Sequence, residues 1–108
     1  MEPTFERGDA LLLVDPQNDF CPGGTLAVPD GDLVMPVLTA WAEAAATRGV
    51  PIFVSRDWHP ARTTHFKEFG GVWPPHCLIG TRGAELKQLG HSTYLPDRNR
   101  FTRGGFGC

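Results

Sequence analysis

Two short apolar runs, each ending at an aspartate, constrain this chain more than any other feature. Ala10 to Val14 is continuously apolar and stops at Asp15-Pro16. Such a run reads as a strand buried on both faces of a parallel sheet. Pro51 to Ser55, apolar and partly β-branched, leads into Arg56-Asp57 and reads as a second strand. Between them Leu33, Val34, Val37, Leu38, Trp41 and Ala45 recur at helical spacing. Asp30 or Asp32 is placed to cap this helix and Gly49 to stop it, while Pro36 is tolerable only in its first turn. Strand, helix, strand over this length is a βαβ unit, with the two strands parallel and either adjacent or one apart. Asp15 and Asp57 then emerge at one edge of the sheet, outside the carboxyl ends of the strands, where open α/β sheets bind ligands.

The remainder is less regular. A second helix is expected over Gly83 to Leu89, closed by Gly90, and a third short strand through Ser92 to Leu95. Asp97 to Arg103 is polar and basic, and Gly104 to Cys108 carries no sign of a packed element. At 108 residues one domain is the natural reading, able to bury roughly 65% of its unfolded surface. A net charge of -2 with 20% charged residues lacks the excess of one sign that nucleic acid or an acidic membrane would demand, and points to a small-molecule partner. No apolar run approaches the roughly 20 residues of a membrane span. The three cysteines, Cys21, Cys77 and Cys108, form no CxxC pair and no disulfide framework, which fits a reducing cytoplasm. The 13 glycines and 10 prolines gather after Phe20 and from Trp58 onward, so that long shaped loops join few regular elements.

One of those loops concentrates metal-ligating chemistry. Asp57 and His59 lie two apart at a strand end, and their side chains share a face if the extended conformation persists. His65 and His76 follow within the same excursion, so three of the chain's 4 histidines join one carboxylate, while His91 stands apart. Zinc, iron(II) or manganese(II) accepts such a nitrogen and oxygen set, which does not suit copper(I). The spacing is not a standard zinc pattern, and the same histidines also fit a reading as surface or capping residues. Asp15, taken alone, fits a turn former after a buried strand as well as it fits a catalyst.

Three segments resemble a known family. Val14-Asp15-Pro16-Gln17-Asn18-Asp19-Phe20-Cys21, Asp57-Trp58-His59-Pro60 with His65 following, and Trp73-Pro74-Pro75-His76-Cys77 are similar in order and spacing to motifs of the nicotinamidase/pyrazinamidase group of isochorismatase-like cysteine hydrolases. The resemblance runs from about Asp9 to Leu86 and covers the N-terminal part of that family. It implies a three-layer α/β parallel-sheet fold, truncated here to about the first three strands, and a single incomplete domain over residues 1–108. It implies that Asp15 is the catalytic aspartate, taking a proton from a cysteine thiol and delivering one to departing ammonia. Asp57, His59 and His76 match the ligands of one divalent metal ion, with His65 matching a histidine that ligates in some members. Phe20 and Trp73 match aromatic walls of the ring pocket, although either side chain also suits ordinary core. The implied substrate is nicotinamide or a similar pyridine carboxamide, in pyridine nucleotide salvage.

The match departs from the family in two places. A lysine of the catalytic triad corresponds here to Arg103, which keeps the charge on a bulkier planar group. The nucleophilic cysteine, which in the family opens a helix after a later strand, has no corresponding segment. Cys21 and Cys77 read as structural, and Cys108 lacks the helix N-terminus that lowers a thiol pKa. Three readings follow: an amide hydrolase whose nucleophile is supplied, a non-catalytic metal-binding domain, and a vinyl ether hydrolase of isochorismatase type, in which the histidine set has no purpose. The sheet edge and face left uncovered invite a homo-oligomer or a complementing chain.

Overall fold

The computed structural model describes residues 3–87 and the backbone of residues 100–103. Strand β1 (Leu11–Val14), helix α1 (Met35–Thr47), strand β2 (Ile52–Asp57) and strand β3 (Arg100–Arg103) are its regular elements, joined by loops that carry four 3-10 turns. The sheet order is β1-β2-β3 and both pairings are parallel. The register pairs Leu11 with Ile52 and Val14 with Ser55, so β2 projects beyond the end of β1 by Arg56 and Asp57. The expected βαβ unit is therefore present, and Asp15 and Asp57 both stand at the carboxyl edge.

The core lies between one face of this sheet and the helix. Leu13, Ile52 and Val54 meet Ala42 and Ala45, with Met35, Leu38 and Val50 packed around them. The buried seam of α1 thus runs Met35, Leu38, Ala42, Ala45, and its alanines let the helix approach closely. Leu33, Val34 and Val37 of the expected apolar stripe are exposed, while Trp41 stands edge-on to Phe5 at 5.9 Å. The helix is entered through a 3-10 turn, Gly31–Val34, rather than through an aspartate cap. Asp30 precedes that turn in a left-handed conformation and makes no side-chain capping bond. Pro36 falls in the first turn of α1, as its missing N–H requires. At the other end Gly49, at φ 69°, closes a Schellman motif: Gly49 N–H donates to Ala46 O and Val50 N–H to Ala45 O.

Only one face of β1 is covered among the described residues. Leu13 is buried, whereas Leu12 and Val14, on the opposite face, are 54% and 64% exposed. An apolar run built for burial on both sides has one side uncovered among the described residues.

One expectation for the second half is corrected, and one strand is added to it. Residues 83–87 are not helical beyond a 3-10 turn at Arg82–Ala84. Leu86 instead forms an antiparallel bridge with Gln17, and Lys87 N–H donates to Pro16 O, so this backbone bonds across to the first loop rather than to its own preceding turn. A strand is present at Arg100–Arg103, within the segment read as polar and basic, where pairing with Val54 to Asp57 of β2 outweighs composition. Ser92 to Leu95, like Leu89, Gly90 and Gly104 to Cys108, lies outside the described residues. No helix among the described residues is long and apolar enough to cross a membrane.

Candidate metal centre at the carboxyl edge of the sheet

The chain leaves β1 through Asp15, whose φ of 50° turns it sharply out of the strand. Aspartate tolerates this left-handed region better than most residues. The turn is held across to β2: Asp15 N–H lies 3.1 Å from Ser55 O, and the Ser55 hydroxyl donates to Asp15 Oδ1 at 2.7 Å. The carboxylate is thereby fixed at the sheet edge, partly exposed.

From the end of β2 a long excursion runs to Cys77 and returns on itself. His59 N–H donates to Cys77 O at 2.8 Å, and Ile79 N–H to His59 O at 2.9 Å, so the excursion is pinched shut where its candidate ligand residues stand. A second pairing, Phe66 with Trp73, ties the loop nearer its tip. Gly71 is required there, because a side chain would strike the backbone of Thr64 and His65. Phe66 is fully buried, its ring packed against those of His59 and His76 at centroid distances of 5.4 and 5.5 Å.

Asp57, His59 and His76 converge as the spacing suggests. Their candidate ligand atoms lie within 4.8 Å of one another. Nε2 of His59 and Nε2 of His76 are each 3.3 Å from the same Oδ2 of Asp57. Nδ1 of His76 lies 2.7 Å from Pro74 O, a carbonyl that can only accept, so Nδ1 carries the proton. In the neutral ring Nε2 then presents a lone pair toward a carboxylate oxygen, an arrangement that a cation between them satisfies. Burial pulls the pKa of His59 below its usual value, although Asp57 opposes the shift. Burial thus favours the neutral ring, the form that can serve as a ligand. Its Nδ1 is buried with no hydrogen-bond partner among the described residues. Two imidazoles and one carboxylate suit zinc, iron(II) or manganese(II).

His65 is near this trio without joining it. Its ring centroid is 5.0 Å from that of His59, and its Nδ1 contacts the Thr63 hydroxyl at 2.6 Å. A cleft of roughly 340 Å³ opens above the cluster, lined by His65 with the three ligand candidates and walled by Phe20, Trp73 and Leu26. The two aromatic residues read from the sequence are thus at the cleft, and Leu26 adds an apolar surface that no motif marked. Arg103 closes β3 with its Cα in register with Asp57, which places its backbone at the same edge.

Two residues of the first loop brace the site, and no local pattern marks either for that role. Gln17 is fully buried and bonds the backbone of Asp57 on both sides of its Cα: Oε1 accepts from Asp57 N–H at 2.8 Å and Nε2 donates to Asp57 O at 2.7 Å. Asp19 accepts from Cys77 N–H at 2.7 Å, holding Cys77 at φ 50° beside His76. Both contacts join segments 40 or more residues apart, beyond any local pattern.

The two described cysteines are poor nucleophiles. Cys21 and Cys77 are buried, and burial raises both thiols, Cys77 to about 12 with help from Asp57, Asp19 and Asp15. Their reading as structural residues agrees with this. Cys108 lies outside the described residues.

Comparison with known proteins places these features in a family. The isochorismatase domain matches residues 9–102. The nicotinamidase of Escherichia coli K12 is 41% identical over 97 residues, covering 76% of this chain and 46% of that protein. The crystal structure of the pyrazinamidase of Pyrococcus horikoshii in complex with zinc superposes with a TM-score of 0.78 at 38% identity, over 89% of this chain and 51% of the other. That of PnC1 from L. infantum in complex with nicotinate gives 0.72 at 31% identity, over 89% and 47%. The chain spans about half the length of the relatives it matches. With the match extending through both strands of the βαβ unit and the loop that follows, the chain belongs to the isochorismatase domain family, and its relatives there include nicotinamidases and pyrazinamidases.

Proposed function

We propose that this chain is the metal-bearing part of a nicotinamidase-type amide hydrolase, acting on nicotinamide or a similar pyridine carboxamide to give the carboxylic acid and ammonia. The observation that carries the reading is the convergence of His59 Nε2 and His76 Nε2 on Asp57 Oδ2 in the floor of an aromatic-walled cleft. A bound divalent ion, whether zinc, iron(II) or manganese(II), would supply an anchor for the ring nitrogen of the substrate. Asp57, His59 and His76 would hold it, with His65 close enough to serve as a further ligand after a small movement. Phe20 and Trp73 would stack against or flank the ring. Asp15, oriented by Ser55, would accept the thiol proton of the nucleophile and later return a proton to the leaving nitrogen as ammonia departs. Arg103, whose backbone stands at the same edge, would take the place of the family's lysine.

The buried thiols of Cys21 and Cys77 argue that the nucleophile comes from elsewhere. The Leu12 and Val14 face, uncovered among the described residues, is our reading of where a homo-oligomer partner or complementing chain would seat. A cytoplasmic setting and a place in pyridine nucleotide salvage fit the substrate class. A second reading, a non-catalytic metal-binding domain, is favoured by the same two thiols.

The deciding measurement is ammonia release from nicotinamide by the 108-residue chain supplied with each of the three metals, beside an Asp57→Ala control. Metal-dependent release, abolished in Asp15→Asn with metal retained, supports the hydrolase. Metal binding without release favours the non-catalytic domain, and absence of metal binding rejects both.

A further inference from the structure

We propose that Gln17 is a positioning residue for the metal-binding carboxylate of Asp57, an inference that rests on the metal reading above. The need for such a residue follows from the sheet register. The ladder between β1 and β2 ends at Val14 and Ser55, so Asp57, the last residue of β2, has no β1 residue beside it. Beyond that point the chain has turned away through Asp15. The side-chain amide of Gln17 fills the vacated place. It is peptide-like, with a donor and an acceptor in one plane, and it bonds both the N–H and the C=O of Asp57 at 2.8 and 2.7 Å. It therefore continues the ladder by one rung, in side-chain form.

Bonding on both sides of one Cα restrains φ and ψ of that residue together, and these set the direction in which the Asp57 carboxylate leaves the backbone. Gln17 is itself held. Its second Nε2 proton goes to Ala84 O at 2.8 Å, and its own N–H donates to Asp15 O at 2.8 Å. With no exposure to water, the amide has no competing partner and little rotamer freedom. One residue thus links the turn at Asp15, through its backbone, to Asp57 and the 3-10 turn at Arg82–Ala84, through its side chain. A metal ligand supported in this way is pre-set before the ion arrives, and loss of an outer partner of this kind typically weakens metal binding by roughly 10–100-fold.

The test uses the full chain titrated with cobalt(II), whose visible absorption reports coordination geometry independently of activity. Gln17→Met keeps the volume and removes every side-chain bond, and Ile52→Val serves as a control that loosens the core far from Asp57. The expected result is a weakening of cobalt affinity by about 10–100-fold in Gln17→Met with an altered band pattern, and wild-type affinity and spectrum in Ile52→Val. Gln17→Glu, which keeps the acceptor for Asp57 N–H, should fall between. Unchanged affinity and spectrum in folded Gln17→Met overturns the proposal, as does an equal loss in the control. Amide hydrogen exchange on the wild-type chain covers the case in which no Gln17 variant folds: slow exchange at Asp57, matching Val54, is expected, and fast exchange overturns the proposal. A wild-type chain that folds but binds no cobalt sinks the metal reading itself.

Discussion

The hydroxyl of Ser55 donates to Oδ1 of Asp15 at 2.7 Å while its oxygen accepts from the Asp15 N–H at 3.1 Å, so one side chain on β2 grips both ends of the residue that terminates β1. Ser55→Ala removes both bonds. Hydrogen bonds to charged groups contribute roughly 1.5–3 kcal/mol, less where water can replace the lost donor, so a loss of about 1–2 kcal/mol is expected. Urea unfolding reads this as a lower midpoint at constant slope, and an unshifted midpoint would rule the grip out as a contributor.

Removal of a ligand should act more strongly than removal of a support. Asp57→Ala deletes the oxygen on which both imidazoles converge, and metal content measured after dialysis should fall to background. Zinc retained at the wild-type ratio would place the site elsewhere.

Gly83 sits where a side chain would collide with both carboxylate oxygens of Asp19. Gly83→Ala must displace that carboxylate from Cys77 N–H, and the overpacking should cost about 1–3 kcal/mol. Asp19→Ala, which leaves Cys77 N–H buried without an acceptor, should cost a similar amount. If thermal unfolding finds Gly83→Ala as stable as wild type, the close approach is not present in solution.

Acid and alkali should destabilise the metal-free chain for opposite reasons. His59 has a lowered pKa in the folded chain, so its contribution is present above its usual value of 6.5 and is lost as pH falls through the depressed one. The Cys77 thiol is raised from 9.0 to about 12, so its contribution is complete below pH 9.0 and is lost as pH rises toward 12. Thiol-labelling at pH 8 checks the second half: Cys77 should react slowly in the native chain and rapidly in denaturant. Equal rates would contradict the burial.

The elements that the sequence announces are those whose signal is local. Ala10 to Val14 and Pro51 to Ser55 are apolar enough to declare β1 and β2, and Gly49 marks the end of α1 because only a left-handed residue closes that motif. Asp57, His59 and His76 are legible because a strand end and a single loop bring them together. What stayed hidden depends on partners far along the chain. The strand at Arg100–Arg103 has little apolar content and takes its conformation from β2. The segment at Glu85 to Lys87 resembles a helix until Pro16 and Gln17 claim its backbone. The roles of Gln17, Asp19 and Ser55 could not be read for the same reason.

The pinch between His59 and Cys77 separates what the loop must preserve from what it can vary. Closing a longer loop costs only about 0.6 kcal/mol for each doubling of its length. Residues added at the Lys67–Phe69 turn, on the far side of the Phe66 and Trp73 pairing, would therefore enlarge the rim of the cleft while His59 and His76 kept their places. The rim of the cleft can then vary through the tip of this excursion, while the neck that holds His59 and His76 stays unchanged.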